Sequence, residues 1–145
     1  MSTAPHNLTS PNPPDLNTLA DNFGLFDDWE ERYRYLIDLG RTLPAMPPEL
    51  KTDDRIVPGC TSRVWMQADI RDGVFHFLAD SDAHIVRGLI ALLNAAYQGQ
   101  PVQAINQIDI AATFREIGLE QHLSPNRRNG FYAMVEKIKE LAARG

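Results

Sequence analysis

Cysteine is almost missing from this chain: one of 145 residues, Cys60. A lone cysteine forms no internal disulfide, and it runs no two-thiol redox cycle without an outside partner. Structural zinc needs four clustered Cys or His ligands. The histidines, His6, His76, His84 and His122, are scattered with no ligand spacing, so no metal site is expected. Positive charge is also in deficit, with 14 Lys and Arg against 19 Asp and Glu and a net charge of -5. That argues against a nucleic-acid binder, which presents a basic face. No apolar run approaches the ~20 residues that cross a bilayer. The first residues have neither the basic start nor the apolar centre of a secretory signal. The expectation is an acidic, cytoplasmic protein whose thiol stays reduced.

What is present describes an ordinary globule, 43% hydrophobic and 23% charged. Residues 1–14 hold four of the ten prolines among Ser, Thr and Asn, which predicts a disordered N-terminal tail. Residues 15–145 are expected to form a single domain. Asp15 caps a helix to Phe23, and Asp27 or Asp28 opens a second to about Leu39 with Trp29, Tyr33, Leu36, Ile37 and Gly40 on one face. Prolines 44, 47, 48 and 58 mark an extended connection whose charged segment, Lys51 to Arg55, should be exposed. Ser62–Ile70 alternates as a strand, and Asp72-Gly73 signals a two-residue hairpin turn into a return strand from Val74 to about Ala79. Asp80-Ser81-Asp82 reads as the cap of a long apolar helix, Ala83 to Tyr97. After Gly99 come a short turn from Pro101 and a helix capped by Asp109. The last helix is announced by Ser124-Pro125 and buries Phe131, Met134, Val135, Ile138 and Leu141. The fold class is α+β, a small antiparallel sheet flanked by helices.

The rest is organised around Val57-Pro58-Gly59-Cys60-Thr61-Ser62-Arg63-Val64-Trp65. A Pro-Gly turn puts Cys60 at the tip of a tight loop braced by the strand that follows. Such a thiol is either a reachable nucleophile or a small buried hydrophobe. Arg63 either favours the thiolate or faces solvent. Arg127 and Arg128 lie in the first turn of the last helix, where the dipole disfavours cations; they either bind an anion or pair with carboxylates. Gly130 inside that helix costs about 1 kcal/mol relative to alanine and points to close packing. A cysteine hydrolase using Cys60 with His76 or His84 as base is one candidate chemistry. A non-catalytic adaptor with an inert cysteine is another.

Four groups of residues in order carry a resemblance. They are Trp29-Glu30 with Tyr33, Leu39-Gly40 and Leu43-Pro44; Gly59-Cys60 with Ser62 and Val64-Trp65; Asp80-Ser81-Asp82-Ala83 with Ile85-Val86 and Gly88-Leu89; and Leu123-Ser124-Pro125 with Arg127, Gly130 and Met134. From about Trp29 to Lys139 the chain resembles the SufE/CsdE sulfur acceptors of iron–sulfur cluster assembly. Thr61 departs from the longer polar residue frequent there. The resemblance implies a SufE/IscU-like α+β scaffold and a Cys60 that takes sulfur from a cysteine desulfurase (SufS- or CsdA-like) as a persulfide. It further implies that the chain stimulates that enzyme and passes the sulfur to a SufBCD-like scaffold or other acceptor. On this reading the chain is a carrier rather than a self-sufficient enzyme, without a cofactor of its own; pyridoxal phosphate belongs to the desulfurase. The sulfur is expected in an apolar cavity lined by Val64, Trp65 and the central helix, under a loop that flips outward on docking. Arg127 is assigned to the docking face, Asp82 to docking or loop restraint, and Arg63 is grouped with them.

Overall fold

The computed structural model describes residues 15–144. The expectation placed on residues 1–14 lies outside that range. Helix α1 (Leu16–Gly24) starts where the Asp15 carboxylate accepts the Thr18 N–H, and α2 (Trp29–Gly40) where Asp28 accepts that of Glu31. The connection after α2 contains two short 3-10 turns, Pro48–Leu50 and Asp53–Arg55. It is followed by β1 (Val64–Arg71) and β2 (Val74–Ser81). Asp72 and Gly73 both take positive φ, 55° and 77°, the backbone that a tight hairpin requires.

Register explains the core. Val64 stands opposite Ser81, Met66 opposite Ala79, Ala68 opposite Phe77 and Ile70 opposite Phe75, so these residues share one face of the pair. That face packs on α3 (His84–Tyr97) and on α6 (Pro125–Ala143). Helix α3 buries Val86, Leu89, Ile90, Leu92 and Leu93 and is the centre of the molecule. It crosses α2 at glycines: a Cβ built on Gly88 would lie 2.3 Å from the Leu36 carbonyl oxygen.

Four features differ from the sequence reading. A third strand, β3 (Gln100–Pro101), pairs with Val74 and Phe75. Beside it the Gln98 amide donates to the Phe77 carbonyl and accepts the Phe77 N–H, at 2.7 and 2.8 Å, in the manner of a strand neighbour. The expected turn after Pro101 is a 3-10 segment (Val102–Gln107) leading to the expected helix, α4 (Ile110–Glu116), but a short α5 (Leu119–His122), not foreseen, follows the left-handed Gly118. At the chain end Ala142, rather than Leu141, is the buried residue.

The fourth concerns Asp80-Ser81-Asp82. Asp80 is a strand residue, 6% exposed, and does not cap α3. Its carboxylate meets Lys51 Nζ and Arg87 Nε, each at 3.1 Å. Ala83 occupies the cap position with no side-chain capping bond, and the Ser81 hydroxyl accepts the Ala83 N–H instead. Asp82 is exposed. Lys51, expected in solvent, is ion-paired and stands 5.3 Å from the centre of the Trp65 ring.

Candidate functional site

Three segments meet at Cys60. The connection closes on the sheet where the Val57 N–H donates to Val64 O at 2.8 Å and Ile56 bridges to Trp65. The chain then turns at Pro58-Gly59, with Gly59 at φ 89°, so the Cys60 loop projects between the start of β1 and the start of α6. On the other side, Ser124 caps α6 by accepting the Arg127 N–H, and Pro125 fills the first helical position. Arg128 donates to Glu120 O at 3.2 Å and Tyr132 donates to the Glu120 carboxylate, which ties α5 to the start of α6.

The thiol itself is half-buried. Its Sγ lies 3.6 Å from the Gly130 carbonyl oxygen, an acceptor for S–H but not a partner for a thiolate. Burial pushes the Cys60 thiol up from its ordinary value of 9.0. Beneath the loop is a cavity of about 30 Å³. Its floor is Val64, Val86, Leu89, Phe131 and Met134, and Cys60 with Gly130 forms one wall. Thr61, Ser62, Asn126 and Arg127 form the rest of the lining.

The predicted site residues fall into two groups. Cys60 and Arg127 share the cavity lining, Arg127 being exposed and without an ion pair among the described residues. Arg128, by contrast, is committed to Glu120. Arg63 is exposed, and burial alone accounts for the thiol shift; its solvent-facing alternative is the one found. Asp82 lies outside the cavity lining. Trp65 is also absent from that lining, because it alternates with Val64 and faces the other side of the sheet, under Lys51.

Among the described residues no histidine lines the cavity, so neither His76 nor His84 stands beside Cys60 as the expected base. His76 sits five residues along β2 from Ser81, the partner of Val64, about 17 Å away at strand rise. It lines a separate hollow with Gln67, Asp69 and Gln98. His84 is exposed at the start of α3, about 200° around the helix from the cavity residue Val86. His122 stacks on Trp29, with ring centres 3.7 Å apart. Among the described residues no cluster of His, Cys, Asp and Glu is placed to hold a metal ion. No described helix is long and apolar enough to cross a membrane.

Asn126 and Gly130 are cavity residues that no acid–base or nucleophile signal marks. Gly130 is singled out by the cost of a glycine within a helix and by its place in the resemblance.

The family model described as SufE, Fe-S metabolism associated domain, matches residues 17–142. The chain belongs to the SufE family. Among SufE-type relatives, an uncharacterized SufE-like protein of Rhizobium etli is 44% identical over 131 residues, covering 88% of each chain. The sulfur acceptor protein CsdE of Escherichia coli K12 is 40% identical over 122 residues, covering 83% of each. The solution structure of a hypothetical protein from Thermus thermophilus shares the fold at TM-score 0.73 and 22% identity. It covers 91% of this chain and 96% of its own. The α+β architecture with a small antiparallel sheet is thereby common to both.

Proposed function

We propose that this SufE-family chain accepts sulfur from a cysteine desulfurase on Cys60, holds it as a persulfide and releases it to an iron–sulfur assembly scaffold. One observation carries the reading: the chain's one thiol stands on a glycine turn directly over an apolar cavity of about 30 Å³. Membership of a family tied to Fe–S metabolism supports it, as does the likeness to CsdE, a sulfur acceptor.

The chemistry is thiol exchange. Deprotonated Cys60 attacks the terminal sulfur of the desulfurase persulfide, a new S–S bond forms at Sγ, and the donor S–S bond breaks. The donor leaves as a thiolate and takes up the proton, with no net redox change. Burial opposes deprotonation, so transfer requires the loop to swing out and present Sγ to the partner. Arg127, in the cavity lining and without an ion pair among the described residues, supports the docking role assigned to it; for Asp82, exposed and outside that lining, docking or loop restraint rests on the resemblance alone. The chain then acts as a carrier and activator with no cofactor of its own, in a reducing, cytoplasmic setting where one thiol stays available.

The test is intact mass after incubation with a pyridoxal-phosphate cysteine desulfurase and cysteine. The expected result is a gain of ~32 Da on the wild-type chain and none on Cys60→Ser. Desulfurase output should rise with the wild-type chain only. A wild-type chain that gains no sulfur overturns the function.

A further inference from the structure

Gly130 lies in the middle of the first turns of α6, where alanine is the better helix former. A glycine that cannot be replaced normally has backbone or a rigid side chain against it, as Gly88 does. Gly130 does not. The nearest atoms to a Cβ built there belong to Cys60: Sγ at 3.6 Å, and Cα and Cβ at 3.9 Å. Those are ordinary van der Waals contacts, so the resting thiol has room for alanine. The extra carbon would occupy the cavity instead, since Gly130 and Cys60 line it together.

The cavity has a size suited to a small occupant. Its volume of about 30 Å³ is two to three times the roughly 10–15 Å³ that one buried water needs. Its floor of Val64, Val86, Leu89, Phe131 and Met134 offers water no hydrogen bonds. A sulfane sulfur is apolar, larger than water, and bonded about 2.05 Å from Sγ, and Cys60 itself lines this space.

We infer that Gly130 sizes the space under Cys60 for one sulfane sulfur. With the sulfur kept under the loop, as the resemblance implies, the chain then holds one sulfur there and does not extend it to a polysulfide. This rests on the persulfide role proposed above. Loading follows the exchange already described: the Sγ–S bond forms, the donor S–S bond breaks, and the donor thiolate leaves protonated.

The test compares the full chain with Gly130→Ala and Met134→Ala. Each is loaded by the desulfurase with cysteine and, separately, by a small alkyl hydropersulfide with no partner present. Persulfide lifetime is followed by intact mass during exposure to dithiothreitol. As a thiol, Gly130→Ala should melt no lower than the wild type. Its ~32 Da adduct should disappear about tenfold faster or more, and loading should lower its melting temperature relative to its own thiol form. Met134→Ala, with a larger cavity, should retain a protected adduct of about 64 Da that the wild type does not hold.

Equal persulfide lifetimes in wild type and Gly130→Ala overturn the inference, as does a wild type that keeps the second sulfur. Should Gly130→Ala fail to fold, the Met134→Ala arm decides: no retained second sulfur overturns the inference. The two readings separate cleanly. If the hydropersulfide loads Cys60 with these patterns and the desulfurase does not, the partner role fails and the cavity role stands. If both load and the variants behave alike, only the cavity role fails. If neither loads, both fall.

Discussion

Lys51 Nζ stands 3.1 Å from Asp80 Oδ2. The contact joins a connection of two short 3-10 turns to the end of β2, and that connection leads directly into the cysteine turn. Asp80 also meets Arg87 at the start of α3 and accepts the Ser81 N–H at 2.8 Å. One carboxylate thus ties the connection, the sheet and the central helix together. Arg87 Nε is near it but finds no aligned hydrogen-bond acceptor among the described residues, so charge rather than directionality holds that arm.

Asp80→Asn should therefore cost more than a surface substitution. It leaves Lys51 and Arg87, exposed by only 31% and 28% at their side chains, without their counter-charge. Removing one member of a buried pair costs about 3–5 kcal/mol, and partial exposure of the cations lowers that to about 2–3. Urea denaturation should show the loss. The Cys60 thiol should also react faster with iodoacetamide, because the segment holding its turn is released. A change below about 0.5 kcal/mol would mean that Asp80 does not anchor the connection.

The crossing of α2 and α3 gives a second prediction. At Gly88 an added methyl meets the Leu36 carbonyl oxygen at 2.3 Å and Leu36 Cγ at 2.7 Å, backbone and core that cannot move aside. Gly88→Ala should lose about 2–4 kcal/mol despite the helix propensity of alanine. Gly24→Ala is the control: nothing lies within 4 Å and its φ is not positive. That substitution should be neutral or stabilise by about 0.4–1 kcal/mol. Thermal melts should fall for Gly88→Ala and stay level or rise for Gly24→Ala.

The parts of this structure legible in the sequence are those set by local chemistry. Asp72-Gly73 demands positive φ, Ser124-Pro125 starts a helix, and alternation puts Val64 and Met66 inward; each is readable from a few adjacent residues. Cys60 is legible because a Pro-Gly turn precedes it. Asp80 misleads for the same reason: two acids before a helix look like a cap. The deciding partner, Lys51, lies 29 residues upstream and is brought in only by the fold. The candidate bases His76 and His84 fail on register and helix phase, which spacing from Cys60 does not encode. The two-residue β3 and the Gln98 amide that substitutes for a strand leave no periodicity to detect.

The thiol supplies a prediction in pH. Its folded value is raised above 9.0 by burial, so the folded state holds the proton more tightly than the unfolded chain. The resulting stability is fully present below the unfolded value and is lost as pH rises through the folded one. Cys60→Ala should remove that alkaline decline while leaving the curve at pH 6–8 nearly parallel. Alkylation of the native chain without partner should be slower than that of a denatured sample at pH 8, and should keep rising beyond pH 9. Equal rates in native and denatured chains at pH 8 would mean that the turn already presents the thiol.

Two neighbouring arginines, finally, should separate docking from structure. Arg128 donates to Glu120 O at 3.2 Å and helps hold α5 against α6, so Arg128→Ala should lose about 1 kcal/mol of stability. Arg127 is exposed, unpaired among the described residues, and set in the lining of the Cys60 cavity. Only its backbone N–H serves the fold, by binding the Ser124 hydroxyl, and alanine keeps that N–H. Arg127→Ala should thus change stability by less than about 0.5 kcal/mol. Its affinity for the desulfurase should nevertheless fall about tenfold, most strongly at low salt, where a charge at the contact counts most. Titration calorimetry with the desulfurase and urea melts of both variants measure the two effects separately. If Arg127→Ala binds as tightly as the wild type, the cation beside the thiol has no part in docking, and the partner must approach Cys60 from another side.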